Sequence, residues 1–273
     1  MEASGYGLKF KFQLFNHVVN IEPLYLIPIG IIICLAGLAQ GAVGFGYALY
    51  ATPLLVWIGV PLQNTITLVA TCAMIQAALG AHKLRASVPW QLVFTGAVIR
   101  LATFFVGLYI LKRLVAASTD QIRMTVGLIL CLLVILQLLW RPRPVEVMHP
   151  AWGGLAFIAS GLLTGVCGMG GPPLVLWSMA HNWTTNKTRG FLFAVFAITI
   201  PVQTFFMYLT FGTHILWSAA VGIAYIPLVY LGSSIGMPIG NRLSKETLRL
   251  IAYAILLVIG FSAAVPPLLA YLR

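Results

Sequence analysis

The sequence predicts an all-α polytopic membrane protein made of two homologous four-segment repeats, inverted relative to one another, each with a glycine-broken first helix. Three observations lead there. Of the 273 residues, 60% are hydrophobic and only 8% charged, whereas a soluble domain carries about a quarter charged residues. The apolar runs are long enough for membrane spans at about 20 residues each. A glycine pattern also returns at one fixed interval along the chain. This composition excludes a soluble enzyme, a disordered chain and a disulfide scaffold.

Residues 1–22 read as a short exposed arm. They lack the order of basic, apolar and small-residue cleavage regions of a signal peptide, so the first apolar run is expected to be a retained span. Charge, proline and tryptophan then delimit segments at about 23–59, 62–82, 89–111 and 122–140, a first repeat over 23–141. A linker at 142–150 leads to a second repeat over 151–273, with segments at about 151–182, 188–210, 213–236 and 247–271. Most tryptophans fall near these ends, as interfacial aromatics do.

The repeat is read from the glycines. Gly37, Leu38, Gly41, Gly44 and Gly46 recur 124 residues later as Gly161, Leu162, Gly165, Gly168 and Gly170, and Gly30 recurs as Gly154. The remaining segments follow at the same interval. If each broken segment crosses fully, the repeats are parallel and the two faces hold seven and eight Lys/Arg. If each enters and returns, the repeats are inverted and the faces hold six and nine, with 83–85, 141–143, 187–189 and 242–249 on the richer one. The positive-inside rule favours inversion.

The formal net charge is +11. The basic residues stand singly or in pairs between apolar runs, as helix-flanking charges do, so no nucleic-acid partner is expected. Glu2, Glu22, Asp120, Glu146 and Glu246 all lie at edges or in loops, which leaves no carboxylate for the membrane interior. The four cysteines sit in apolar segments and read as packing residues, with Cys167 inside a glycine motif. No G-x-S-x-G, H-E-x-x-H or paired intramembrane aspartates appear, so neither an enzyme, a metal site nor a cofactor is expected.

Two features carry chemistry. Glycine weakens a helix by about 1 kcal/mol per position, and unwound backbone at membrane depth is tolerated only where protein or a water-filled cavity satisfies it. Around Gly44, Phe45, Gly46 and Tyr47, and around Gly168, Met169, Gly170 and Gly171, the chain breaks and restarts, in the second case at Pro172-Pro173. A helix start offers free N–H groups and the positive end of the dipole, which suits an anion. The competing reading, close helix packing through small residues, fits Gly37/Gly41 and Gly161/Gly165 best. Arg100 is the second feature: it lies about 16 Å from either end of its segment at 1.5 Å per residue, too deep to snorkel comfortably. Its candidate partners are backbone carbonyls or an anionic substrate. Thr71, Gln76, Thr199 and Gln203 are mid-segment polar groups, and Thr71, Gln76 and Gln203 join the expected substrate site. Lys187 and Arg189 read as interface anchors that could also form an anion funnel.

The paired glycine motifs, Pro172-Pro173, Ala70-Thr71 and Lys187-x-Arg189 resemble the sulfite exporter TauE/SafE family of membrane permeases, over about residues 24–268. Gly44, Gly46, Gly168, Gly170, Gly171, Pro172 and Pro173 match most closely. The resemblance implies an inner-membrane, multi-pass protein that moves sulfite, organosulfonates or related small sulfur-containing anions. The expected partners are a small anion and the lipid bilayer, with a homodimer left open. A cation or metal transporter and a non-transporting interaction subunit are the alternatives.

Overall fold

The computed structural model describes residues 23–43, 46–139, 148–242 and 245–271. The expected arm at 1–22, most of the 142–150 linker, and Gly44 and Phe45 of the candidate site lie outside the described residues. Within them the chain forms eleven α-helices and one 3-10 turn, without a strand. The first unit holds α1 (Pro23–Val43), α2 (Tyr47–Trp57), α3 (Leu62–Lys83), α4 (Trp90–Val115) and α5 (Thr119–Leu139). After it come α6 (Pro150–Cys167), α7 (Gly171–Met179), α8 (Thr185–Phe211), α9 (His214–Ala224), α10 (Ile226–Arg242) and α11 (Lys245–Tyr271).

Five of these helices are long and apolar enough to cross a membrane, six if the bent pair α9 and α10 is counted as one span. The protein is thus a helical multi-pass membrane protein. Helices end and restart within both glycine-rich segments: α1 ends at Val43 and α2 starts after Gly46, and α6 gives way to α7 at Gly168–Gly170. A third break was not anticipated. The segment expected at 213–236 bends by 43° between α9 and α10, at Tyr225. Its cause is Pro227 at the second position of α10, which lacks the N–H a continuing helix needs and disfavours helical backbone at Ile226. Several helices also run past the expected ends. α4 continues through Lys112 and Arg113, because helices extend into the interfacial layer once their apolar stretch has ended.

Small residues set which helices touch. α1 packs on α10, α4 on α6, α3 on α8 and α5 on α11. A Cβ on Gly37 would stand 3.2 Å from Val229 Cα, and one on Gly165 2.6 Å from Leu108 N and 2.7 Å from Gly107 C. Glycine therefore lets the backbones approach almost to contact, the usual route to helix association where lipid removes the hydrophobic incentive. Hydrogen bonds reinforce the crossings: Ser233 Oγ donates to Gly37 O at 3.1 Å and Tyr225 OH to Leu26 O at 2.8 Å.

These contacts also fix direction. α4 starts at the face carrying Lys83 and Arg85. α6 lies parallel to it, Phe157 meeting Gly96 and Gly165 meeting Gly107, so α6 starts at that face too. α7 then turns back along α6: Gly170 lies against Ser160 and Thr164, and Trp177 against Gly153. α8 runs antiparallel to α3, Phe193 beside Gly80 and Gly190 beside Leu84. α1 runs parallel to α10, whose end carries Arg242 on the same face as Lys83. α2 heads the other way, and Arg123 Nη2 at the start of α5 donates to Trp57 O at its end, 2.9 Å.

Gly165→Val is expected to destabilise the detergent-purified protein by about 1–3 kcal/mol through overpacking. Gly154→Val, whose added Cβ meets nothing within 4 Å, should shift thermal unfolding far less.

Candidate functional site: a basic cavity between two broken helices

The breaks are local consequences of two glycines. Gly46 has φ 98° and Gly168 φ 73°, left-handed conformations that strain any residue with a Cβ. Gly46 O caps α2 by accepting from Leu49 N at 2.8 Å and Tyr50 N at 3.2 Å. Gly168 N donates back to Thr164 O at 3.0 Å and closes α6.

Both breaks border one cavity of about 150 Å³. Gly46 and Tyr47 contribute from the first, and Gly168, Met169, Gly170 and Gly171 from the second. Arg100, Gln76 and Gln203, three of the residues singled out in the sequence, also line it. One face of α8 runs along the wall: Arg189, Phe193, Phe196, Ile200 and Gln203 recur at intervals of three and four residues, as side chains on one helical face must. Arg189 is exposed, so the cavity reaches the surface near the start of α8.

Thr71 does not line the cavity. Its hydroxyl donates to Thr67 O at 2.8 Å and Leu68 O at 3.0 Å, and its side chain packs where Gly222 leaves room for it. A threonine that bonds back to its own helix joins α3 to α9 rather than facing a solute.

Two polar lining residues were not picked out from sequence. Gln40 and Thr164 occupy the last turns before the two breaks, and Gln40 Oε1 is buried without a hydrogen bond among the described residues. They stand 124 residues apart, the interval that pairs the glycines. Reading that register for polar residues would have found them.

Arg100 is 4% exposed. Its Nε donates to Ser160 Oγ at 3.0 Å, Nη2 to Thr164 Oγ1 at 2.8 Å and Nη1 to Thr199 Oγ1. Each hydroxyl gives its own proton to a carbonyl: Ser160 to Gly170 O at 2.6 Å, Thr164 to Ser160 O at 2.7 Å and Thr199 to Val195 O at 2.8 Å. Their lone pairs are therefore turned to the guanidinium, and Ser160 ties it to the second break. The Phe196 ring lies 5.4 Å from the guanidinium carbon, within cation–π range. Two of the five N–H groups have no hydrogen bond among the described residues. No acid lines the cavity among them either, so the chamber is electropositive.

The helix starts are unequal donors. α7 begins Gly171-Pro172-Pro173, so Gly171 holds the one amide among its first three residues. α2 begins Tyr47-Ala48-Leu49 without proline.

The family described as "Sulfite exporter TauE/SafE" matches residues 29–263. The chain is 22% identical over 236 residues to a protein of Cupriavidus necator described as "Probable sulfite/organosulfonate exporter TauE", covering 85% of this chain and 91% of that one. No solved structure matches.

The cavity wall makes opposite demands at adjacent positions. A Cβ on Gly170 would stand 3.1 Å from Thr164 Cβ and overlap its hydroxyl, while one on Gly171 meets only Phe196, at 3.9 Å. Gly170→Ala should cost about 1–3 kcal/mol and Gly171→Ala no more than about 0.5 kcal/mol, read from unfolding of the purified protein.

Proposed function

Because the chain belongs to the sulfite exporter TauE/SafE family, we propose that it exports small sulfur-containing anions such as sulfite or an organosulfonate by alternating access. The anion sits in the cavity between the two broken segments, near the starts of α2 and α7. The observation that carries this reading is the lining itself: both breaks, two arginines and three glutamines face one chamber with no described acid. A sulfonate or sulfite offers three acceptor oxygens and at least one negative charge, which complement amide, guanidinium and N–H donors.

The two four-segment units are proposed to be inverted repeats, 23–141 and 151–273. The helix pairing supports this, since α1 on α10 and α6 on α4 are reciprocal, while α3 on α8 and α5 on α11 join equivalents. Direction supports it too. α6 and α7 enter from and return to the Lys83 face, whereas α2 returns to the face of Arg123. Such repeats, with broken helices at mid-depth, are a common basis for alternating access.

The face carrying Lys83, Arg85, Lys187, Arg189 and Arg242 is assigned to the cytoplasm of an inner membrane by the positive-inside rule. The cavity edge at Arg189 lies on it, so this arrangement is the loading state of an exporter. Each anionic charge leaving a negative interior gains about 2.3 kcal/mol per 100 mV, which lets export proceed without a carboxylate relay. The family places the chain among anion exporters, which does not favour a cation carrier or a non-transporting subunit. Neither the fold nor the comparisons support a homodimer, and none is proposed.

Proteoliposomes loaded with sulfite or methanesulfonate test the reading: the protein should accelerate efflux, and absence of efflux for every sulfur anion offered would refute it. Sidedness is checked separately with Arg189→Cys. A membrane-impermeant maleimide should label it in inside-out vesicles and not in intact cells.

A further inference from the structure

Arg100 holds a full positive charge at mid-depth, with three N–H groups clamped by hydroxyls and two unspent among the described residues. Hydroxyl dipoles lower the cost of such a charge but cannot cancel it, and an ionised group away from water is costly without a counter-ion. The other positive features of the cavity are weaker claimants. Arg189 is exposed, where water screens it. The helix starts carry only partial charges, and Pro172 and Pro173 thin the amides of the second.

We propose that Arg100 is the fixed counter-charge of the transported anion: a monovalent sulfonate, or sulfite in its singly charged form, binds the two unspent N–H groups and crosses as an electrically neutral pair with the guanidinium. This rests on the transport reading above and adds a charge balance to it. The loaded site carries no net charge, so the membrane potential does little to the outward step. The empty site carries one positive charge, so an inside-negative potential draws it back to face the interior. Voltage therefore drives the reset of the empty protein and leaves the passage of the solute nearly untouched.

The test uses the full chain in proteoliposomes with radiolabelled methanesulfonate, whose charge does not titrate, and with sulfite as a second solute. Net efflux into anion-free buffer requires the empty reset; exchange against unlabelled solute outside does not. An inside-negative potassium diffusion potential should speed net efflux by at least about threefold for one charge moved and leave exchange unchanged. Arg100→Gln should abolish the thermal stabilisation that methanesulfonate gives the detergent-purified protein and lower both fluxes by at least about tenfold.

Because Arg100→Gln also disturbs three hydroxyls, Arg100→Lys and Ser160→Ala complete the set. Both keep the charge, so both should keep voltage-sensitive net efflux with voltage-insensitive exchange, even where affinity falls. Exchange as voltage-sensitive as net efflux, or methanesulfonate stabilising Arg100→Gln as well as the wild type, overturns the counter-charge alone. A wild-type protein that moves neither solute overturns the transport reading and this inference together.

Discussion

A backbone that stops being helical inside a bilayer must find partners for its amides and carbonyls within the protein, and the centre of this molecule is organised around that constraint. At the second break the carbonyl of Gly170 is met by Ser160 Oγ, about two turns before the end of the helix that the break interrupts. That hydroxyl can then only accept from elsewhere, and it accepts from Arg100. One broken turn thus recruits a serine and the serine orients a cation at the cavity wall. Remove the break and neither the chamber nor the orientation of the guanidinium has a cause.

The two proposed repeats are not equal. Position 100 holds arginine, while the residue 124 positions later is Ala224, beside the bend at Tyr225. α4 stays one continuous helix, while its counterpart under the proposed repeat divides into α9 and α10. The first half thus carries the charge on a rigid helix. In the second half, α6 and α8 supply the hydroxyls that grip it, and α9–α10 supplies a bend. The first break keeps its amides, whereas the second gives two of them up to proline and has the arginine beside it instead.

Much of this was legible in the sequence because it follows from local chemistry. Composition gave the membrane and the glycine register marked both breaks; the depth of Arg100 flagged it before any partner was known. What escaped depended on distant contacts. Ser160 and Thr164 lie 60 and 64 residues from Arg100, and Thr199 lies 99 away, and no periodicity announces such a meeting. Thr71 misled because a hydroxyl in a helix has two options, a solute or its own i−4 carbonyl, and only packing decides. The bend at Tyr225 was legible in Pro227 but was masked by the unbroken hydrophobicity around it.

The grip on Arg100 consists of three alcohols that are themselves held by amide carbonyls, none of which gains or loses a proton at any physiological acidity, and none of which is a target for mild oxidants. The clamp is therefore chemically inert to the compounds it would meet. Sulfite is a reducing nucleophile that cleaves disulfides and changes its own ionisation near neutrality. Under the proposed reading, a chamber gripped by thiols or imidazoles would react or drift as the anion entered it. One gripped by hydroxyls leaves acid–base behaviour entirely to the solute.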